Sequence, residues 1–198
     1  MITKEVFELI RQNHGGYSSW AIWAKVTDKP KSNMSDMSVF DVSRNDSLFQ
    51  LLNPKVMMIG LNISRSFEEP FKNFHDANPR ANDFKIRFAF EETEYYGAYM
   101  TDVIKNFETA DSGDVKKYLK DNPKIVKENL GLLRKEIADL KSEKPVILAF
   151  GGMVHQILTE NLETGEYKRL IKLTHYSHQI GKEEYRKKVQ EEISLAYS

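Results

Sequence analysis

Short apolar runs separated by longer stretches of helical periodicity organise this chain. Lys55-Val-Met-Met-Ile-Gly60 and Pro145-Val-Ile-Leu-Ala-Phe150 are apolar without alternation, the pattern of strands buried on both faces. Tyr96–Lys105 is rich in β-favouring residues, and Leu170–Leu173 is a shorter run of the same kind. Between them, Ile125, Leu130, Leu133, Ile137 and Leu140 place an apolar stripe on a helix from Asn122 to about Lys141. Val154, Ile157 and Leu158 mark another helix after Gly151-Gly152, and a charged helix is expected from about Lys182 to Leu195. The first residues read as an amphipathic helix with Val6, Phe7 and Ile10 on one face.

Elsewhere the pattern is less regular. Trp20, Trp23 and Ala24 have i, i+3, i+4 spacing, which predicts a short helix packing both tryptophans onto a sheet. Thr27–Asn45 reads as a long surface excursion, Asp46–Leu52 as a short helix, and Asp111–Asp114 as a loop. Residues 65–95 are aromatic and charged, part helix and part cover for the strand ends. Strands alternating with helices imply right-handed βαβ units. The expected fold is α/β: a three-layer α/β/α sandwich with a short four-stranded parallel sheet. Counting strands along the chain, their order is 2-1-3-4. Residues 1–198 form one domain, with 1–54 as an N-terminal helical extension packed on it.

Composition narrows the function classes. Of the residues 40% are hydrophobic and 29% charged, ordinary for a globular chain. No apolar run approaches the ~20 residues of a membrane span, and no signal peptide is evident, so a cytoplasmic monomer with no membrane partner is expected. There is no cysteine, which excludes disulfides, thiolate metal sites and a cysteine nucleophile. Lys+Arg and Asp+Glu are both 29, so a nucleic-acid partner would have to be met by a local patch.

In open α/β sheets the ligand crevice lies beyond the carboxyl ends of the strands. The expected strands deliver Asn62, Asp102, Gly151-Gly152 and His175 with Ser177 to that edge. Gly60 lets the chain turn sharply beside them. A glycine turn opening a helix also leaves N–H groups suited to an anion. An amide, a carboxylate, a backbone anion site and a histidine converging there make a ligand site. A metal held by His175, His178 and Asp102 is less favoured, because no third ligand has telling spacing. Ser64 and Ser177 lack a nucleophile-elbow context. No metal or cofactor is expected.

These motifs resemble those of the uracil-DNA glycosylase superfamily. Gly60-Leu61-Asn62 is similar to its first motif, G-[IL]-N-P in the mismatch-specific branch. Thr174-His175-Tyr176-Ser177-His178 keeps the His and Ser of its last motif, H-P-S-x. Ala98–Lys105 resembles the V-Y-I-T-N-V-V-K stretch of the iron–sulfur branch, and Pro145–Gly152 its later strand and glycine turn. The likeness runs from about Lys55 to Leu195 in the family's order. Ile63 and Tyr176 replace the prolines of the two motifs, Asp102 stands where the family has its base-reading Asn, and Gln179 where some members carry a wedging Leu.

The resemblance implies hydrolysis of an N-glycosidic bond to a damaged or deaminated base in DNA. It implies His175 donating to the departing base and Asn62 orienting water, with Gly60, Leu61, Ile63, Ser64, Gly151, Gly152, Ser177 and His178 around the substrate. Phe71, or else Phe74, would supply the ring that stacks on the base, because Pro70-Phe71 resembles the family's P-F dipeptide. Asp102 would read the base edge. The alternative is a non-catalytic module on the same fold that binds a nucleobase, nucleotide or single strand.

Overall fold

The computed structural model describes residues 2–45, 47–65, 67–109 and 111–198. Its elements run α1 (Lys4–His14), β1 (Ser19–Trp20), a 3-10 turn (Met37–Phe40), α2 (Leu48–Leu51), β2 (Asn53–Asn62), α3 (Asp83–Phe90) and β3 (Ala98–Ile104). There follow α4 (Ser112–Asp121), α5 (Lys124–Asp139), β4 (Val146–Phe150), α6 (Gly152–Asn161), β5 (Arg169–Leu173) and α7 (Lys182–Tyr197).

Among the described residues the sheet has five strands in the order β1-β3-β2-β4-β5. The expectation of four parallel strands is therefore corrected: β1 pairs antiparallel with β3, and the sheet is mixed. The pairs β3–β2, β2–β4 and β4–β5 are parallel. All of β3 and β4 is buried, because helices cover both faces. Met57, Ile59, Tyr99, Ile147 and Ala149 join a core with α1, α5 and α6. Met58, Met100, Leu148 and Phe150 join one with α3 and α7. At the edge, β5 exposes Arg169 and Lys172, charges that discourage pairing with another chain.

The Trp20–Trp23 helix does not form. Trp20 and Ile22 enter the first core, while Ala21 and Trp23 enter the second. That is the two-residue alternation of an extended chain, and it uses both tryptophans better than one helical face would. Trp20 meets Tyr99 edge-on at 5.2 Å. The extension is thus not wholly helical, since β1 completes the sheet.

Two further expectations change. The loop assigned to Asp111–Asp114 is the start of α4, capped by Asp111, whose Oδ1 accepts the Gly113 N–H at 2.7 Å. Ser and Gly in its first turn, with Val115 its only buried residue, hid the helix. The first strand runs through Asn62 instead of ending at Gly60. The start of the Asp46–Leu52 helix falls on a residue outside those described, and Leu48–Leu51 is helical.

Candidate functional site

A cavity of about 550 Å³ opens at the carboxyl ends of β2, β3 and β4. Its floor is a contact between two strands. Gly60 and Asp102 are in register on β2 and β3, and a Cβ on Gly60 would overlap Asp102 Oδ1 and press on Phe74 Cζ at 3.3 Å. The missing side chain makes room for the carboxyl. Asp102 is 3% exposed, and its Oδ2 accepts a hydrogen bond from Asn73 Nδ2 at 2.7 Å. The same Nδ2 donates to Tyr17 O, and Asn73 Oδ1 accepts the Phe74 N–H. Burial pushes the Asp102 carboxyl up to about 7, against the lowering effect of the Asn73 bond.

Beneath the floor lies a buried ion pair. Lys105 Nζ is 2.8 Å from Glu136 Oε1 and also donates to the Asp102 backbone carbonyl, while Tyr99 OH donates to Glu136 Oε2 at 2.8 Å. The pair ties the residue that follows β3 to α5 directly behind Asp102.

An aromatic wall rises from the floor. Phe74 meets Tyr176 edge-on at 6.4 Å, Tyr176 meets Phe150 edge-on at 5.4 Å, and His175 stacks on Tyr176 at 4.3 Å. Phe74 has φ +64°, in the left-handed region that costs an ordinary residue about 1–2 kcal/mol. Its carbonyl accepts from Trp23 Nε1 at 3.3 Å, which helps hold the segment in place. Phe71 shares that conformation but not the cavity. It is 1% exposed and packs between Phe7 and Phe40 at 5.4 and 5.3 Å. The runner-up Phe74, and not Phe71, is the ring beside the site.

His175 has a defined tautomer. Its Nδ1 accepts the Ser177 backbone N–H at 3.1 Å and lies 2.7 Å from Ser177 Oγ. The neutral ring therefore carries its proton on Nε2. Burial pushes the imidazole down to about 4, so it is neutral at physiological pH. Its loop is clamped from two helices. Glu192 on α7 accepts the Thr174 N–H and Oγ–H, both at 2.7 Å, and Lys85 Nζ on α3 donates to His178 O at 2.8 Å.

Asn62 lines the same cavity. Its Nδ2 donates to the carbonyls of Thr109 at 2.8 Å, Ile63 at 3.0 Å and Phe107 at 3.3 Å. The amide is thereby fixed with Nδ2 facing backbone and Oδ1 as its acceptor. Leu61, Ser64, Gly151, Gly152 and Ser177 also line the cavity. Gly151 has φ +97°, a conformation that favours glycine, and α6 begins beside it with no side-chain cap.

Three other expected substrate contacts do not line the cavity: Gly60 lies against Asp102 and Phe74 behind the lining, Ile63 is buried away from it, and His178 is exposed outside it. Among the described residues, no three His, Cys, Asp or Glu are grouped to hold a metal ion. No helix there is long and apolar enough to cross a membrane.

Sequence reading missed Asn73 and Asp83. Asp83, in the first turn of α3, accepts the Asp76 N–H at 2.9 Å, and burial lifts it to about 6. Asp76 itself pairs with Arg65 at 2.9 Å. Neither residue sits in a recognisable motif, and only the folding of residues 67–83 over the strand ends brings them to the cavity. No protein family, characterised protein or solved structure that was compared with the chain matches it.

Proposed function

We propose that this chain recognises a nucleobase, and that it hydrolyses the N-glycosidic bond of a damaged or deaminated base in DNA in the manner of a divergent uracil-DNA glycosylase. The three-layer α/β/α arrangement of that superfamily is part of the proposal. The observation that carries it is the neutral His175, proton on Nε2, on the same cavity as Asn62. In such a hydrolysis the C1′–N bond breaks and its electron pair leaves with the base. A preorganised donor stabilises the charge that develops on the base. A neutral imidazole N–H is such a donor and carries no positive charge to be screened. Water adds to the sugar carbon, with Asn62 Oδ1 as the acceptor that orients it, and the proton the water loses ends on the departing base anion. An amide does not take the water's proton as a carboxylate does, so turnover is slow. Phe74 and Tyr176 supply the ring surface for a base taken out of its stack.

A second reading has its own support. Asn62 spends its amide hydrogens on three backbone carbonyls, a structural use that a non-catalytic nucleobase, nucleotide or single-strand binding protein would also keep.

The test is incubation with single- and double-stranded oligonucleotides carrying uracil, hypoxanthine, xanthine or an oxidised guanine, scored for abasic sites. Asn62→Ala and His175→Ala proteins serve as controls. Base release lost in both variants supports hydrolysis. Binding of an oligonucleotide or nucleoside with no release from any substrate supports the binding reading.

A further inference from the structure

We infer that the cavity is built for the hydrogen-bonding edge of guanine. Its carbonyl would meet His175 Nε2–H, and the adjacent ring N–H and 2-amino group would meet the Asp102 carboxylate. This deepens the nucleobase reading above and rests on it.

The inference starts from what the cavity offers. Two buried carboxyls, Asp102 and Asp83, line it, and among the described residues neither forms an ion pair. Lys105 Nζ is committed to Glu136 and to the Asp102 backbone, not to its carboxyl. A buried carboxylate with no cation in direct contact is costly, and a ligand that brings N–H donors relieves that cost. The aromatic wall of Phe74 and Tyr176 suits a planar ring.

The candidate bases differ in the order of acceptors and donors along the edge. An ionised carboxylate only accepts, whereas the His175 Nε2–H only donates. Guanine presents a carbonyl followed by two N–H donors, which matches one donor and two acceptors. Uracil presents a carbonyl on each side of its N–H, so one carbonyl faces the carboxylate. Cytosine and adenine place a ring-nitrogen acceptor there instead. Hypoxanthine has the carbonyl and one N–H, but lacks the amino group. The Asn73 bond to Asp102 Oδ2 holds the carboxyl plane, and a carboxylate oxygen has capacity for a second donor.

The test is calorimetric titration of the protein with 2′-deoxyguanosine, 2′-deoxyinosine, N1-methyl-2′-deoxyguanosine and 2′-deoxyuridine at mildly alkaline pH. Deoxyguanosine is expected to bind roughly tenfold or more tightly than the other three, because each lacks or blocks a charge-assisted hydrogen bond. Asp102→Asn is expected to weaken deoxyguanosine by a similar factor and to improve deoxyuridine. If that variant does not fold, the ranking on the wild-type protein decides alone. Equal affinities, deoxyuridine as the tightest ligand, or no binding of any nucleoside overturns the inference. Guanine-selective binding without base release upholds it while removing the hydrolase reading. Uracil release with no guanine preference does the reverse.

Discussion

Gly60 and Asp102 stand opposite one another on adjacent parallel strands, and Asp102 Oδ1 occupies the space into which a Gly60 side chain would project. Glycine is needed here because of a neighbouring carboxyl and not for a turn. Gly60→Ala is expected to displace Asp102 or to distort the strand pair, at about 1–3 kcal/mol of overpacking. Denaturant unfolding and nucleoside titration together check this. An alanine variant with wild-type stability and wild-type binding would show that the carboxyl has room to move.

Asn62→Asp separates two views of that residue. If only water activation mattered, a carboxylate would be the better base and the variant faster. The structure predicts the opposite, because the new oxygen would face the carbonyls of Ile63, Phe107 and Thr109. Replacing donors by an acceptor against partly buried carbonyls costs up to about 1–3 kcal/mol. The variant should melt at lower temperature and release base no faster than wild type. Faster single-turnover release would sink this view of the amide.

Asp102 makes stability depend on pH and, under the proposed function, base preference as well. Its folded pKa is raised to about 7, above the unfolded value of about 3.9. The native state then holds the proton more tightly, so this group's stabilisation is fully present below about pH 4 and is lost as pH rises towards 7. Asp102→Asn removes that dependence, so its stability relative to wild type should rise across this window. Asp83, raised to about 6, acts in the same direction in both proteins. Uracil release by wild type should rise only about twofold from neutral to acid pH and fall away as pH climbs above 7, since a protonated Asp102 donates to the uracil carbonyl and about half is protonated at pH 7. Asp102→Asn should release uracil faster at neutral pH. Melting curves and single-turnover cleavage between acid and neutral pH test both statements, and strong neutral uracil release abolished by the asparagine would reverse the role given to Asp102.

The Lys105–Glu136 pair predicts an asymmetric double-mutant cycle. Lys105→Met leaves Glu136 buried without its cation and is expected to cost about 3–5 kcal/mol. Adding Glu136→Leu should recover much of that loss, although Tyr99 OH then loses its acceptor. Urea unfolding of the single and double variants reads the coupling directly, and additive losses would mean that the two charges are not coupled.

Local pattern made most elements legible. Continuous apolar runs specify strands covered on both faces, so β2, β4 and the centre of β3 could be read directly, as could the apolar stripes of α1 and α5. The same reasoning failed at Trp20–Trp23, where i, i+3 spacing equally places two side chains on opposite faces of an alternating extended segment. Which period holds depends on whether both faces meet a core, and Tyr99 and Phe74 supply those cores from distant sequence.

The sequence by itself determined which strand ends carry Asn62, Asp102 and His175, because strands with buried runs end where polarity returns. It could not decide which aromatic ring lines the site. Phe71 and Phe74 are three residues apart with the same left-handed backbone, yet one is turned into the core of α1 and the other into the cavity. Nor could it decide the protonation of Asp102 and His175, which follows from burial by residues far along the chain and from the bonds of Asn73 and Ser177. Propensity and periodicity act between near neighbours, so they are written in the chain. Desolvation and side-chain direction are set by whatever packs against a group, and exist only once the whole fold has closed.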